Sequence, residues 1–222
     1  MYETQITNLF DLSHTIAAEY LAAFDQPWEA LAGLSAFIIA YGKTLPADEY
    51  DNPRENVWIS KSATVAPSAD IGAPCIICAG AEIRQCAYIR GSAIVGAGAV
   101  VGNSCELKNC ILFDSVQVPH FNYVGDSILG YRAHMGAGSI TSNVKSDKTN
   151  VAIRAFDERL ETGMRKLGAM LGDYVEIGCN CVLNPGTVIG RRSSVYPLTS
   201  VRGFVPEGHI VKSTTEIVIR KC

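Results

Sequence analysis

The amino-acid sequence predicts an all-β fold, a parallel β-helix of stacked hexapeptide repeats, joined to a short N-terminal α-helical segment. Three observations point there. Ile59, Val65, Ile71, Ile77, Ile83, Ile89, Val95, Val101 and Leu107 recur at a period of six, and Leu171, Ile177, Leu183, Ile189, Val195 and Val201 resume it after an interruption. Glycine repeatedly follows the aliphatic position, as in Ile71-Gly72, Val95-Gly96, Val101-Gly102, Leu129-Gly130, Met135-Gly136, Ile177-Gly178 and Ile189-Gly190. Residues 4–41, by contrast, space their apolar side chains as helices do. An α-helix needs a period of about 3.6 and a half-buried strand a period of about two, and six serves neither for long. It fits a solenoid in which each hexapeptide is a short strand plus a turn, three of them closing a triangular coil, with coils stacked in parallel about 4.8 Å apart.

In chain order, residues 1–55 are expected to form a helical cap and linker. Leu12, Ile16, Tyr20 and Phe24 line one helical face, and Trp28, Leu31, Leu34, Phe37 and Ile38 line another, with Asp25 placed to cap the second helix and Pro27 in its first turn. A helical cap would cover the open strand edge at one end of the solenoid. Residues 43–55, with two prolines and several acidic side chains, read as a linker. The β-helix follows over residues 56–222, with about seven to eight coils between Val57 and Val205. Leu112, Val118 and Val124, then Leu129 and Met135, keep the spacing with shifts of phase. The glycines after the aliphatic positions are expected to relieve strained backbone turns. Residues 145–166 break the pattern with charged, non-periodic sequence, made basic by Arg154, Arg159, Arg165 and Lys166, and read as a protruding loop on the binding face.

Composition narrows the class. At 48% hydrophobic and 18% charged residues the chain can bury a core, yet no run approaches the ~18 uninterrupted apolar residues of a membrane span. A net charge of -3 gives no global attraction to nucleic acid or to anionic membrane. The opening Met1-Tyr2-Glu3-Thr4 lacks the pattern of a secretory leader, so a cytoplasmic, reducing setting is expected. The eight cysteines lie among small residues at equivalent repeat positions, which makes them packing residues. Cys75-x-x-Cys78 has no second ligand pair at zinc-finger spacing, and no metal site is expected.

The richest stretch for chemistry is Val118-Pro-His-Phe-Asn-Tyr-Val-Gly-Asp-Ser-Ile-Leu-Gly130, continuing to Met135-Gly-Ala-Gly-Ser-Ile-Thr-Ser-Asn143. It resembles the active-site segment of the acetyltransferase domain in bifunctional N-acetylglucosamine-1-phosphate uridyltransferase/glucosamine-1-phosphate acetyltransferase enzymes. It is still more similar to the tails of archaeal-type sugar-1-phosphate nucleotidylyltransferases. The likeness runs from about Val57 onward and includes Arg165-Lys-Leu-Gly-Ala-Met-Leu-Gly172 and Leu183-Asn-Pro-Gly-Thr-Val-Ile-Gly190. The resemblance implies a left-handed coil, an acetyl-CoA-dependent N-acetyltransferase acting on an amino-sugar 1-phosphate, and a homotrimer with donor sites between protomers.

Residue by residue, the resemblance makes His120 the general base, Tyr123 a contact to the sugar phosphate, Arg90 and Lys108 its cationic ligands, and Asn143 a contact near the amino sugar. Ala137 falls where a backbone N–H faces the thioester, and Cys179, Lys148 and Arg165 join it as acetyl-CoA-binding positions. His134 stands where the bacterial enzymes carry an asparagine, and is read as a substrate contact. The chemistry is coherent with these types. An amino sugar's ammonium must lose a proton before it attacks a thioester, and an imidazole, with an ordinary pKa of about 6.5, is suited to accept it. A backbone N–H in the Gly136-Ala137-Gly138 turn suits the oxygen that gains charge in the tetrahedral intermediate. Arg90 would hold a phosphate as a planar fork and Lys108 as a point charge.

Other chemistries fit less well. Residues 1–55 contain only Gly33 and Gly42, and so lack the glycine-rich phosphate loop of a nucleotidyltransferase. Only His120 and His134 fall where a γ-type carbonic anhydrase would need three zinc histidines, and no nucleophile elbow is present. A non-catalytic sugar-phosphate-binding or partner-binding solenoid is the alternative to the enzyme.

Overall fold

The structure is a computed structural model that describes residues 2–156, 158–213 and 215–219; Met1 and Cys222 lie outside the described residues. Its body is a parallel β-helix. Val57–Ser60, Thr64–Val65 and Asp70–Ile71 form the three sides of the first coil, and Cys75–Ile77, Glu82–Ile83 and Tyr88–Ile89 stack on them in parallel. The first face continues through Ala93–Val95, Ala169–Leu171, Thr187–Ile189 and Phe204–Val205. The second continues through Val100–Asn103, Gln117–His120, His134–Met135, Glu176–Ile177 and Ser194–Val195. On the third lie Ile140–Thr141, Val182–Leu183 and Ser200–Val201. Two longer strands, Glu106–Leu112 and Tyr123–Leu129, run around the corner from third face to first: Leu107 pairs with Ile89, and Ile111 with Ile94. In these coils the register tightens from 18 residues, as in Cys75↔Ala93, to 17, as in Ala93↔Cys110 and Cys110↔Ser127. That lost residue is the shift of phase seen in the sequence.

The period-six aliphatic residues fill the prism, Ile77, Ile83, Ile89, Val95, Val101, Leu107 and Leu183 among them all buried. The repeated glycines serve a purpose other than the one expected. Gly72, Gly96, Gly102, Gly130, Gly136, Gly178 and Gly190 are not among the residues with positive φ. A Cβ on Gly102 would collide with the Pro119 backbone of the next coil, and one on Gly136 would lie 2.7 Å from the Cys179 nitrogen. These positions lack a side chain because neighbouring coils approach there. The left-handed corners fall to other residues, including Gly80, Gly98, Ser92, Asn109, Asp126, Phe121 and Asn180.

Among the described residues, neither end of the solenoid is closed by helices. At the first coil, Tyr50–Arg54, inside the expected linker, pairs antiparallel with Val57–Ser60. At the last, Glu216–Ile219 pairs antiparallel with His209–Ser213. The N-terminal segment instead runs along the first face as short pieces, of which Ile6–Leu9, Ala18–Leu21 and Leu34–Gly42 are α-helical and Pro27–Ala32 is 3₁₀. Pro27 does open its helix, but Gln26 is the N-cap rather than Asp25: its backbone N–H donates to Glu29 Oε2 at 2.9 Å, as a capping box requires.

The first face explains this placement. Its strands carry three apolar residues in a row, so the outward column Trp58, Ile76, Ile94, Ile111, Ile128, Met170 and Val188 is as apolar as the inward ones and equally buried. Leu34–Gly42 packs on this column, and Gly42 gives room to the Trp58 ring. Farther along, Phe10 and Phe113 rings sit 5.1 Å apart and His14 stacks on Tyr131 at 3.6 Å. Buried Asp173 then clasps the segment, accepting the Asp11 N–H at 2.7 Å and the Tyr131 N–H at 2.8 Å beside Arg191 at 3.4 Å. Burial raises its carboxyl above the ordinary range despite those donors.

Residues 145–166 do not protrude as a loop. Ala152–Ala155 and Glu158–Glu161 form an antiparallel hairpin whose neck is closed by a bridge between Val144 and Lys166. Val151, Ile153 and Ala155 are buried, and the Phe156 and Phe204 rings lie 5.5 Å apart, so the hairpin folds against the last coils. The alternation of Val151, Ile153 and Ala155 with Ala152 and Arg154 is a strand signal concealed by the surrounding charge.

Candidate active site

One corner of the prism, between the second and third faces, gathers three of the expected residues. Along it Phe121 N–H donates to Asn103 O at 3.0 Å, Gly138 N–H to His120 O at 3.0 Å, and Asn180 N–H to Ala137 O at 2.8 Å. His120, Ala137 and Cys179 are therefore equivalent positions in successive coils, one coil step of about 4.8 Å apart. The His120 side chain is exposed, and so is Cys179. Among the described residues the Ala137 N–H has no acceptor.

Asn122, 2% exposed, ties this corner together. Its Oδ1 accepts the His120 backbone N–H at 3.1 Å, while its Nδ2 donates to Gly136 O at 2.8 Å and Ser139 O at 3.1 Å. A buried amide with these partners locks the His120 turn to the turn that carries Ala137. Asn122 lies inside the quoted motif, but its role could be found only once the coils were stacked.

At the opposite edge of the third face is a polar cluster. Asp126, 3% exposed, accepts Lys108 Nζ at 3.2 Å, Asn109 Nδ2 at 2.9 Å and Asn143 Nδ2 at 2.5 Å. Asn143 Nδ2 also donates to the Tyr123 hydroxyl at 3.1 Å, which lies over Gly125 where any Cβ would obstruct it. Burial, reinforced by Asp126, raises the Tyr123 phenol, which keeps its proton. Lys108, Tyr123 and Asn143 are thus brought together, around a carboxylate that sequence reasoning passed over. Arg90 is one coil away and binds Glu106 Oε1 at 2.8 Å, a contact that holds its guanidinium above the ordinary range. His120 and Asp126 are six residues apart along the strand path, a span of roughly 20 Å at most. No hydrogen bond joins the His120 imidazole to Arg90, Lys108 or Tyr123 among the described residues.

The remaining candidates stand elsewhere. His134 is on the second face, its Nδ1 2.9 Å from Glu176 Oε2, in a groove of about 540 Å³ also lined by Gln117 and Arg132. Lys148 and Arg165 lie on the insertion. Cys75 and Cys78 are buried packing residues, and burial pushes the Cys78 thiol up to about 12. No group of three or more His, Cys, Asp or Glu side chains among the described residues is arranged to hold a metal ion. No helix among them is long and apolar enough to cross a membrane.

Comparison with known proteins places this solenoid. The C-terminal domain family of GMPPB matches residues 73–193, which include every strand of the corner just described. The chain belongs to the GMPPB C-terminal domain family. Within that setting it is 32% identical over 126 residues to a bifunctional sugar-1-phosphate nucleotidylyltransferase/acetyltransferase of Sulfurisphaera tokodaii, covering 57% of this chain and 31% of the relative. It is 33% identical over 135 residues to the bifunctional protein GlmU of Methanococcus maripaludis, covering 61% of this chain and 33% of the relative. The chain spans about a third of the length of these curated relatives. The resemblance read from the His120 motif is therefore matched by sequence similarity. Among solved structures, a mutant of AntD, an N-acyltransferase from Bacillus cereus, aligns at 19% identity over 75% of this chain and 83% of its own, with a TM-score of 0.37, too slight a likeness to bear on the site.

Proposed function

We propose that the chain is an acetyl-CoA-dependent N-acetyltransferase acting on an amino-sugar 1-phosphate, of the glucosamine or galactosamine type, and that it works as a homotrimer. The observation that carries the reading is the corner column: an exposed imidazole, His120, one coil from a backbone N–H, that of Ala137, with no acceptor among the described residues, and both turns held by buried Asn122. The bifunctional relatives add support, since the one from Sulfurisphaera tokodaii is a sugar-1-phosphate nucleotidylyltransferase/acetyltransferase.

Acetyl-CoA supplies an acyl group activated as a thioester. The substrate ammonium first gives up one proton to solvent; the free amine then attacks the thioester carbon, and His120 takes a second proton from the nitrogen as the C–N bond forms and passes it to the departing sulfur as the C–S bond breaks, so that amide and free thiol result. The Ala137 N–H donates to the carbonyl oxygen while that oxygen bears charge. Lys108, Tyr123 and Asn143 would then meet the sugar phosphate across the third face, with Arg90 beyond them. Exposed Phe121 and Leu198 on the same corner, 61% and 80% accessible, suit contact with a neighbouring protomer, which would enclose the groove.

The test is thiol release from acetyl-CoA in the presence of glucosamine 1-phosphate or galactosamine 1-phosphate. The wild type is expected to release free coenzyme A, and His120→Ala to lose about 10²- to 10⁴-fold in kcat. Full activity in the variant refutes the general-base role. No thioester consumption with any amino sugar supports a binding solenoid instead.

A further inference from the structure

The insertion hairpin and the last coils enclose a second polar pocket, of about 350 Å³, away from the corner column. Lys145, Arg154, Arg159 and Arg202 line it, with Ala152, Pro185 and Gly203. We infer that this pocket binds a phosphate-bearing anion.

Three features argue for it. The first is the register of the hairpin. Arg154 and Arg159 are direct cross-strand partners, and like charges placed opposite one another in a strand pair are destabilising unless something lies between them. The second is the balance of charge. Of the four cations, Lys145 pairs with Asp147 at 3.3 Å and Arg159 with Glu161 at 2.8 Å. Arg202 donates only to the Asn184 amide oxygen at 3.0 Å, and Arg154 has no side-chain partner among the described residues. Among the described residues two positive charges are left without a carboxylate, which matches a phosphomonoester or a diphosphate. Arg90 and Lys108 differ, since each already has its own carboxylate, Glu106 and Asp126. The third is construction. The hairpin is anchored by buried Val151 and Ile153, and Gly203 lets the Arg154 backbone approach the last coil, so the guanidinium is carried on a packed element rather than a loose tail. Planar guanidinium groups bind phosphate oxygens bidentately, and three of the four cations are arginines.

The site does not depend on acetyl transfer, and its test needs no acyl donor. Titration calorimetry with inorganic pyrophosphate at low ionic strength should show saturable binding by the wild type. Arg154→Gln and Arg202→Gln should each weaken it by about tenfold or more, while Arg84→Gln, which removes a surface arginine paired with Glu82 at 3.0 Å, leaves it unchanged. Arg154→Lys, which keeps the charge, should restore part of the loss. Pyrophosphate should also raise the thermal midpoint of the wild type but not of Arg154→Gln, which checks that the variant is folded and has lost only the ligand. Glucosamine 1-phosphate and UDP then serve as competitors. Displacement by either supports the site and names its ligand as a phosphomonoester or a diphosphate; displacement by neither overturns it. Absence of pyrophosphate binding to the wild type, or equal weakening by Arg84→Gln, overturns it as well.

Discussion

Lys108 illustrates how a side chain's role depends on what it touches. As a free phosphate ligand it would leave stability untouched when removed. In the fold it faces Asp126, whose buried carboxylate retains only the two asparagine donors without it. Lys108→Ala should therefore cost about 1–3 kcal/mol in urea unfolding, whatever its effect on a ligand; an unchanged midpoint would show that the pair contributes nothing. The buried thiols make a second case. Burial pushes Cys78 and Cys110 up to about 12 and Cys75 higher still. Thiols of the unfolded chain ionise near ~8.5 while those of the folded chain stay protonated, so the folded state binds more protons as pH rises. Their stabilising contribution is whole below pH ~8.5 and declines above it, by up to about 1.4 kcal/mol per thiol for each pH unit. Urea midpoints should fall between pH 8 and 10, and less steeply in Cys110→Ala than in the wild type.

Among elements, the coils were the most legible in the sequence and the corners the least. A period of six marks the inward column directly because those side chains meet nothing but one another, whereas a corner is defined by residues of neighbouring coils that are 17 or 18 positions away. That is why the glycines could be located but not explained, and why Asn122 and Asp126, both inside the quoted motif, went without a role. The insertion shows the same limit: its charges suggested a loop, and only the hidden alternation at Val151, Ile153 and Ala155 gives the hairpin. The glycine account predicts a contrast. Gly102→Ala must displace the Pro119 backbone and should cost about 3 kcal/mol or more, while Gly80→Ala, with φ of +65° but no neighbour nearer than the Gly98 nitrogen at 3.9 Å, should cost about 1–2 kcal/mol. Equal losses in thermal or urea unfolding would mean that dihedral strain, rather than coil approach, selects these glycines.

At the scale of the whole molecule, the three faces have different tasks. The first is apolar outside as well as inside and is covered by the N-terminal segment, a placement signalled by the runs Cys75-Ile76-Ile77 and Ala93-Ile94-Val95. The second carries the His134–Glu176 pair, and the third the Asp126 cluster and, toward its far end, the arginine pocket. His120, Ala137 and Cys179 share the edge between these two faces. Family resemblance supplied the residues, but their grouping on one edge, and the pairing of His134 with Glu176 on the second face, came only with the folded chain. The most direct measurement is a crystal structure of the protein with coenzyme A and an amino-sugar phosphate. The account predicts the coenzyme sulfur beside the Ala137 N–H with the amine within hydrogen-bond reach of His120; a sulfur lodged instead beside His134 and Glu176, with His120 facing solvent, would contradict it.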